Sequence, residues 1–573
     1  MENINQIYDL WCKRVTDPAI AAELNAIIGD DDAILDRFYR NLEFGTAGLR
    51  GVIGAGTNRM NIYTVARATQ GFSEYIRGIS EYPSVAIAYD SRINSDLFSK
   101  TAASVFAANG IKVWLYPVLA PTPMLSFAVR ELHCDAGVVV TASHNPSKYN
   151  GYKAYGSDGC QLNTEASKKV LSLVEQVDIF DGVKSLDFDA AVADGIIEYI
   201  GNDVFEKYYE NVMKQSLDPS LLAQSELKVI YTPLNGAGNI PVRTVLGRMG
   251  IKDITVVPEQ ELPDGNFPTA PYPNPEIREA FACALKLAES VKPDLLLATD
   301  PDSDRVGIAV KNGDDYTLMS GNEVGAVMMY YLLSRRTEMG TMPKDPIVVK
   351  TIVTTRLCDR IAANYGCKVI DILTGFKYIG EQIGLLEAKG EENRYIMGFE
   401  ESYGYLVGTY VRDKDAVVGS MMICEMAAYY KKQGKTLLDV LDMLYEKYGV
   451  FRHKQLSFTF EGAEGMKIMA DTMQSLRTTP PAAIAGARVR RIADYGSSIT
   501  VDCENGSTGV INLPKSDVLA YSLENGAEVI VRPSGTEPKI KVYLTSTAAT
   551  VTAADSYMKQ LESEAKPLLG ITD

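Results

Sequence analysis

The stretch Ala136-Gly-Val-Val-Val-Thr-Ala-Ser-His-Asn-Pro146 passes from an apolar segment directly into a polar turn. Residues 136–140 predict a short buried strand, and Asn145-Pro146 is a turn-prone dipeptide. Ser143 would then lie exposed at the carboxyl end of a parallel strand, where open α/β sheets bind their ligands. This junction therefore predicts both an α/β fold and a candidate reactive serine.

Segments on both sides of this junction alternate between short apolar strands and amphipathic helices. Residues 85–89 and 112–116 predict strands, and residues 98–109 and 124–132 predict helices. The alternation restarts at residues 227–231, where a glycine-rich turn at 235–238 follows, and again at residues 346–350. Such a βαβ order predicts mostly parallel sheets with helices on both faces, after an N-terminal helical segment of about 45 residues.

Beyond about residue 449 the pattern changes to clustered strands at 455–460, 498–502 and 528–531, with helices near 463–476 and 552–569. A chain of 573 residues corresponds to about four domains at roughly 150 residues per domain. We predict three similar α/β domains with mixed or parallel sheets and a smaller C-terminal α+β domain. Their predicted bounds are residues 1–200, 201–318, 319–448 and 449–573.

Composition excludes several classes of protein. The net charge of −16 and the pI of about 4.9 argue against nucleic-acid binding, which needs a basic footprint. No 18-residue apolar run is present, so we expect no membrane span, and the N-terminus lacks a signal-peptide pattern. The eight cysteines are scattered without a Cys-x-x-Cys pair, which fits a reducing cytoplasm rather than a zinc site. No residue pattern indicates an oligomeric state.

The first of four segments with residues suited to catalysis or binding spans residues 141–153, and we call its first part, residues 141–148, the serine loop. Ser143 can carry a phosphoryl group, while His144, Lys148 and Lys153 supply protons or positive charge nearby. The alternative is a polar turn with solvated lysines.

The aspartate loop (residues 300–305) follows the apolar segment 294–298. Asp300, Asp302 and Asp304 alternate, so their carboxylates can converge on one hard cation such as Mg²⁺. An EF-hand is excluded because Arg305 stands where it needs Gly and Lys311 where it needs Glu. The alternative is an acidic turn facing solvent.

The third segment, residues 398–404, follows a predicted strand at 395–397. We call its residues 400–404, which include Glu400 and Ser402, the glutamate loop. Carboxylate and hydroxyl groups together suit sugar hydroxyls, which both donate and accept hydrogen bonds. The alternative is a surface turn or a helix cap.

The arginine loop (residues 532–539) lies between two predicted strands. Arg532 offers a bidentate contact, and Ser534, Gly535 and Thr536 offer hydroxyls and backbone N–H groups, to a phosphate. The alternative is an ordinary hairpin loop. Arg50 and Lys377 can each hold phosphate or be solvated charges.

These four loops together resemble those of the α-D-phosphohexomutase superfamily, in the same order and over nearly the whole chain. The longer phosphoglucomutase group is the most similar. Two departures are visible: Pro301 and Ser303 replace glycines of the metal loop, and Tyr403 follows Ser402 where some members carry Gly then His. No sugar-loop histidine is therefore available, which leaves Lys153, His144 and Lys377 as candidates for acid/base work.

The resemblance implies four domains around one cleft, and a phosphorylated Ser143 as the phosphoryl donor. It places Mg²⁺ on Asp300, Asp302 and Asp304 beside Ser143. Further site residues implied by the same matching are Arg50, His144, Lys153, Arg305, Lys377, Glu400, Ser402, Arg532, Ser534, Gly535 and Thr536.

The implied reaction interconverts glucose 1-phosphate and glucose 6-phosphate through a hexose 1,6-bisphosphate, which acts as intermediate and activator. Mannose and pentose phosphates are the alternative substrates. A metal-dependent sugar phosphatase and a non-catalytic sugar-phosphate sensor are the alternatives outside the mutase class.

Overall fold

The structure is a computed structural model, and it describes residues 2–45, 48–460, 465–534 and 539–571. The chain folds into two compact units. The first unit comprises Met1–Gly321 and Ile379–Gly434, and the second comprises Asn322–Tyr378 and Lys435–Asp573. Residues 320–448 thus contribute to both units.

The N-terminal segment is helical, as the sequence predicts, and consists of α1 (Glu2–Arg14), α2 (Pro18–Ala26) and α3 (Asp31–Phe38). Asp17 and Asp30 cap the second and third helices by accepting backbone N–H groups of the first turn. The helices share a small core in which Trp11 contacts Phe38, Tyr63 and Phe180 edge to face.

A mixed sheet follows the N-terminal helices, with strand order β1-β5-β4-β2-β3-β6. Strands β4, β2, β3 and β6 are parallel, as predicted, whereas β5 runs antiparallel to β4 and β1. The serine loop between β4 and β5 is too short for the crossover that a parallel neighbour requires. The elements are β1 (Gly48–Val52), α4 (Ile62–Arg77), β2 (Ser84–Tyr89), α5 (Ser95–Ala108), β3 (Lys112–Leu115), α6 (Thr122–Glu131), β4 (Ala136–Val140), β5 (Tyr149–Gly156), α7 (Thr164–Gln176), α8 (Phe188–Ala193) and β6 (Ile197–Tyr199).

The second α/β region has the strand order β11-β10-β9-β7-β8. Strands β9, β7 and β8 are parallel to one another, and β10 pairs antiparallel with both of its neighbours, β9 and β11. Its elements are α9 (Asn202–Met213), α10 (Pro219–Gln224), β7 (Lys228–Thr232), α11 (Asn239–Arg248), β8 (Asp253–Val256), α12 (Pro258–Glu261), α13 (Ala282–Val291), β9 (Leu295–Thr299), β10 (Val306–Asn312) and β11 (Asp315–Met319).

The third α/β region gives a parallel strand pair, β12 and β13, to the second unit and an antiparallel pair, β14 and β15, to the first. Its elements are α14 (Gly321–Glu338), β12 (Ile347–Thr351), α15 (Leu357–Asn364), β13 (Lys368–Ile372), α16 (Lys377–Glu387), β14 (Tyr395–Glu400), β15 (Gly404–Val407), α17 (Ala416–Lys431) and α18 (Leu437–Tyr448).

The C-terminal region is an antiparallel sheet of order β16-β23-β22-β21-β18-β19-β20 with two long helices, which confirms the predicted α+β domain. Met473 and Leu561 of the helices belong to the same apolar core as Val529 and Val542 of the sheet. The elements are β16 (Val450–Thr459), α19 (Gly465–Thr478), β17 (Ala483–Ile484), β18 (Ala487–Asp494), β19 (Ile499–Asp502), β20 (Thr508–Val510), β21 (Leu519–Leu523), β22 (Glu528–Pro533), β23 (Lys539–Ala548) and α20 (Val551–Leu568).

The positions of the loops follow from these strands. The serine, aspartate and glutamate loops begin at the carboxyl ends of β4, β9 and β14, and every residue of these three strands is buried. All three loops belong to the first unit, and the arginine loop, at the end of β22, belongs to the second. No described helix has the combination of length and apolar content that a membrane span requires.

Candidate active site

Ser143 meets the aspartate loop directly. Its Oγ lies 2.7 Å from Asp300 Oδ2 and 3.2 Å from His144 Nδ1. The residue is 3% exposed, so the exposed position predicted from the sequence is wrong, because the aspartate loop packs against the hydroxyl. The Ser143 N–H donates to Thr141 Oγ1 at 2.8 Å. The serine hydroxyl is therefore held between a carboxylate and an imidazole, two groups that can move a proton.

The three aspartates form a compact, buried set of oxygen donors. Asp300, Asp302 and Asp304 each offer a carboxylate oxygen within 4.8 Å of the others. Burial, and then the neighbouring carboxylates of Asp302 and Asp304, raise the pKa of Asp300 well above its usual range. Asp302 Oδ1 and Asp304 Oδ1 have no hydrogen-bond partner among the described residues. Three converging buried aspartates, with two oxygens that lack a hydrogen bond, fit a divalent cation. The charge of the cation would offset the repulsion among the carboxylates.

Two lysines approach the same carboxylates. Lys153 Nζ lies 2.8 Å from Asp302 Oδ2, and Lys414 Nζ lies 2.9 Å from Asp304 Oδ2. Burial acts to lower the pKa of both lysines, but the aspartates outweigh it, so the pKa of each is raised. Both side chains are therefore ammonium ions that donate hydrogen bonds.

His144 is in the opposite electrostatic situation. Burial lowers the pKa of its imidazole well below the usual value, and the positive charges of Arg305 and Arg50 lower it further. The ring is therefore neutral at pH 7, and one of its nitrogens can accept a proton.

Two arginines border the serine and aspartate loops. Arg305 Nη1 pairs with Glu276 Oε1 at 2.8 Å, and its Nε lies 3.7 Å from Asp304 Oδ1. Arg50, on β1, is exposed and donates to Asn145 Oδ1 at 3.4 Å. The structure thus brings both predicted arginines to the edge of the site in the first unit.

The glutamate loop adds a carboxylate and a hydroxyl to the first unit. Glu400 is buried at the end of β14, and its charge raises the pKa of Arg305 and of Lys414. Ser402 is half-buried in the turn that follows. Glu400 therefore belongs to the same electrostatic cluster as the aspartates.

Each of these three loops contains a non-glycine residue in the left-handed backbone region. The φ angles are +52° at Ser143, +49° at Ser303 and +67° at Tyr403. This conformation costs a non-glycine residue about 1–3 kcal/mol and persists only where the surroundings impose it. It explains why a glycine suits the position of Ser303, and it shows that all three loops are constrained.

The glycine-rich turn at 235–238 packs against the aspartate loop. A Cβ atom on Gly236 would meet Pro301 Cα at 2.5 Å, and one on Gly238 would meet Ser303 Oγ at 2.7 Å. The Ala237 N–H also donates to the Pro301 carbonyl at 2.8 Å. These glycines therefore allow the close approach that fixes the aspartate loop.

The remaining predicted residues belong to the second unit. Lys377 begins α16 and lies over the ring of Tyr378, 5.3 Å from its centroid. Arg532 lies on β22, and the Ser534 N–H donates to the Lys539 carbonyl at 2.7 Å. Gly535 and Thr536 lie outside the described residues.

Three residues beside the aspartates, Lys414, Asp413 and Thr122, are not among those predicted from the sequence. Lys414 Nζ lies 3.3 Å from Asp413 Oδ1, and the Thr122 hydroxyl donates to Asp302 Oδ2 at 2.9 Å. Residues 412–415 are four consecutive charged residues that are all buried. By composition alone such a run is typical of a solvated surface, so only its position after β15 could have identified it.

The chain matches all four domain models of one family. Its models for α/β/α domains I, II and III of phosphoglucomutase/phosphomannomutase match residues 41–179, 206–313 and 320–448, and its C-terminal domain model matches residues 477–556. Each matched range contains one of the four loops, in the order serine, aspartate, glutamate and arginine loop.

Similar proteins match this chain over most of their own length and most of its length. A phosphoglucomutase of Staphylococcus saprophyticus is 37% identical over 503 residues, which are 88% of this chain and 90% of the relative. A putative phosphomannomutase of Thermus thermophilus shares the fold, with a TM-score of 0.68 at 23% identity, over 93% of this chain and 99% of that one. The N-acetylphosphoglucosamine mutase of Aspergillus fumigatus, in complex with GlcNAc-6P and magnesium, matches with a TM-score of 0.50 at 14% identity, over 96% of this chain and 100% of that one.

Proposed function

The chain belongs to the phosphoglucomutase/phosphomannomutase family as a phosphoglucomutase-type isomerase, and from this we propose that it interconverts glucose 1-phosphate and glucose 6-phosphate. The observation that carries the proposal is the contact of Ser143 Oγ with Asp300 Oδ2 at 2.7 Å, beside a set of buried aspartates suited to a divalent cation. The name of the Staphylococcus relative supports glucose as the sugar.

Mg²⁺ is the cation that we propose for this site. Asp300, Asp302 and Asp304 would hold it together with an oxygen on Ser143, since hard carboxylate and phosphate oxygens are the ligands Mg²⁺ prefers. When bound, it supplies positive charge to the seryl phosphoryl group. Its presence in the Aspergillus relative is consistent with this choice.

The transfer step moves a phosphoryl group from Ser143 Oγ to a hydroxyl of the sugar monophosphate. The bond between phosphorus and Ser143 Oγ breaks, and a bond between phosphorus and the sugar oxygen forms. The proton of the sugar hydroxyl goes to a base, and Ser143 Oγ takes up a proton when its bond to phosphorus breaks. His144 Nδ1, 3.2 Å from Ser143 Oγ, can exchange a proton with that oxygen. The product is hexose 1,6-bisphosphate, which returns its other phosphate to Ser143 after turning over.

Positive charge around the transferring group comes from side chains of the first unit. Lys153 and Lys414 contact the aspartates, and Arg50 and Arg305 border the loops. We assign to them neutralisation of the charge on the transferring phosphoryl group. Lys153 also remains a candidate for proton transfer.

Further residues are assigned to the sugar and to its distal phosphate. Glu400 and Ser402 hold the sugar hydroxyls, which need both donors and acceptors. The residues that we assign to the non-reacting phosphate are Arg532, Ser534, Gly535 and Thr536, and Lys377 remains a candidate for substrate binding or proton transfer. We further propose that residues 1–200, 201–318, 319–448 and 449–573 are the domains and that the enzyme acts in the cytoplasm, where its eight free thiols stay reduced.

Coupled assays of glucose 1-phosphate, mannose 1-phosphate and ribose 1-phosphate, run side by side with Mg²⁺ and the matching bisphosphate, test the substrate. We expect the highest kcat/KM for glucose 1-phosphate. A higher value for another sugar would move the specificity, and steady release of inorganic phosphate would make the enzyme a phosphatase.

Ser143→Ala tests the phosphoryl carrier. The kcat of the variant should fall about 10⁴-fold or more, because the substitution removes the hydroxyl that carries the phosphoryl group. Intact-mass analysis should show a phosphate adduct in wild-type protein and in the control Ser147→Ala, a serine of the same loop, but not in Ser143→Ala. A stable adduct that maps to another residue would contradict the assignment.

A further inference from the structure

Arg92 lies buried beneath the serine loop. Its side chain, between β2 and α5, is fully buried, and its guanidinium donates to backbone carbonyls of the loop and of the first residue of β5. Nη1 donates to Pro146 at 3.0 Å and to Tyr149 at 2.9 Å, and Nε donates to Ser143 at 3.2 Å. Nη2 contacts the Ser143 and Asn145 carbonyls. One side chain thus binds four carbonyl oxygens.

A second layer holds Arg92 in place. Asp90, also fully buried, lies 3.5 Å from Arg92 Nε and accepts the backbone N–H of Arg92 at 2.9 Å. The aromatic ring of Phe267, from the second α/β region, covers the guanidinium at 5.1 Å from its centroid. Asp90 Oδ2 also accepts the hydroxyl of Thr141, whose Oγ1 in turn accepts the Ser143 N–H. The ion pair therefore reaches both polar groups of the Ser143 backbone.

These contacts explain the backbone conformation of Ser143. A serine in the left-handed region with φ of +52° is under strain, which the surroundings must offset. The carbonyl is bound to Arg92 on one side, and the N–H is bound to Thr141 on the other. Buried carbonyls without such donors would each cost free energy, so the guanidinium also removes the penalty of the tight turn.

We propose that Arg92 is the positioning residue that fixes Ser143 for phosphoryl transfer, by binding the carbonyls of the serine loop from beneath. The inference rests on the proposed function of Ser143. Arg92 would not touch the substrate; it would set the angle at which Oγ faces Asp300. Lysine cannot replace it, because a single ammonium group lacks the planar fork of donors that reaches several carbonyls at once.

Arg92→Lys tests the proposal in the full-length enzyme. We expect kcat for glucose 1-phosphate to fall about 100-fold, the size of effect that a misplacement of about 1 Å produces, while KM stays near wild type. The rate at which glucose 1,6-bisphosphate phosphorylates Ser143, followed by quenching and intact-mass analysis, should fall by the same factor. Amides of residues 141–149 should exchange hydrogen faster.

Arg59→Lys is the matched control. Arg59 is also buried, and it also binds carbonyls, those of Asp36 and Asn58, together with the Asp36 carboxylate. It lies outside the serine loop, so its variant should lose stability without slowing Ser143 phosphorylation. If Arg92→Lys phosphorylates Ser143 as fast as Arg59→Lys does, the positioning role is wrong.

A second variant protects the test against misfolding. Thr141→Val retains Arg92 and the side-chain shape but removes the hydroxyl that links Asp90 to the Ser143 N–H. It should lower kcat about tenfold with KM unchanged, the effect of roughly one hydrogen bond. An unchanged kcat in Thr141→Val would overturn the proposal where Arg92→Lys does not fold.

The two proposals fail in different ways. Wild-type enzyme that acquires no phosphate on Ser143 would remove the proposed function, whatever Arg92 does. Wild-type enzyme that acquires it, together with an Arg92→Lys variant that keeps both the rate and the amide protection of residues 141–149, would remove only the positioning role.

Discussion

Two clusters of charged residues in this protein differ in the burial and in the pairing of their carboxylates. The aspartate cluster (Asp300, Asp302, Asp304, Lys153 and Lys414) lies in the first unit, and the lysine cluster (Lys350, Arg356, Asp359, Asp371 and Glu528) lies in the second. In the lysine cluster every carboxylate lies within ion-pair distance of a cation. In the aspartate cluster Asp300 has no cation within ion-pair distance among the described residues, whereas Asp302 and Asp304 each contact a lysine. Two buried oxygens of this cluster, Asp302 Oδ1 and Asp304 Oδ1, lack a hydrogen-bond partner among those residues, against one, Asp359 Oδ2, in the lysine cluster.

The difference is the one expected between a candidate cation site and a structural ion-pair network. Lys350 Nζ, which is fully buried, lies 2.6 Å from Asp371 Oδ1, and Arg356 joins that pair to Glu528 of β22 at 3.7 Å. These pairs hold the β12–β13 strand pair against the C-terminal sheet, beside an apolar core that includes Ile352 and Ile530. Fully buried carboxylates that include one with no cationic partner suit a bound cation, whereas partly exposed carboxylates that each lie beside a cation suit a fixed structure.

Asp302→Asn has the largest expected effect and tests the first half of the comparison. If Asp302 holds Mg²⁺ as proposed, its loss should lower kcat by about 10²–10³-fold, because charge stabilisation of several kcal/mol is lost. The melting temperature should stay near wild type, since the substitution also relieves repulsion among the aspartates. Steady-state kinetics with a Mg²⁺ titration and calorimetry measure both. Full wild-type activity in excess chelator would contradict the metal site.

Lys350→Met tests the second half. Removing the fully buried ammonium leaves the partly exposed Asp371 and Asp359 with only Arg356, so the free energy of unfolding of the second unit should fall by about 2 kcal/mol. Calorimetry should show a transition several degrees lower, while the rate of Ser143 phosphorylation per folded molecule stays at the wild-type value. An unchanged midpoint together with lost phosphorylation would reverse the roles of the two clusters.

Arg532→Ala has a smaller expected effect, on binding. Loss of a charge-assisted contact of about 1.5–3 kcal/mol should raise KM for glucose 1-phosphate about tenfold or more and weaken the bisphosphate alike. Arg490→Ala, an exposed arginine of the same C-terminal region that pairs with Glu504, is the matched control. Equal KM values in both variants would remove Arg532 from the phosphate site.

The smallest effect concerns pH and His453, on β16 beside the lysine cluster. Burial lowers the pKa of His453 to about 3, and the positive charges of Lys350 and Arg452 contribute. The unfolded chain therefore takes up a proton that the folded chain does not, and stability falls as pH drops from about 6.5 towards 3. His453→Gln should reduce this slope in calorimetric midpoints measured across that range. An identical pH dependence in the variant would exclude the histidine as its source.

Several residues that the structure brings together could be predicted from the sequence, because the strands that precede them are short and apolar. The loops that carry Ser143, the aspartates and Glu400 each follow an apolar strand, and a strand end in an α/β sheet faces the ligand. Lys153 was predicted, although it lies on β5 rather than in a loop. Lys414 and Arg92 were missed, since a charged residue in the sequence carries no sign of its burial.

Residue order alone indicated the strands that precede the loops, the alternation of strands and helices and the three carboxylates of the aspartate loop, because periodicity and residue chemistry are local properties. Only the tertiary structure decided which charges pair, that β5 returns antiparallel beside β4, and that Arg92 binds the serine loop from beneath. Burial and pairing depend on distances between residues far apart in the chain. The same arginine, lysine or aspartate is a solvated surface charge or a buried determinant of the site according to what the fold packs around it.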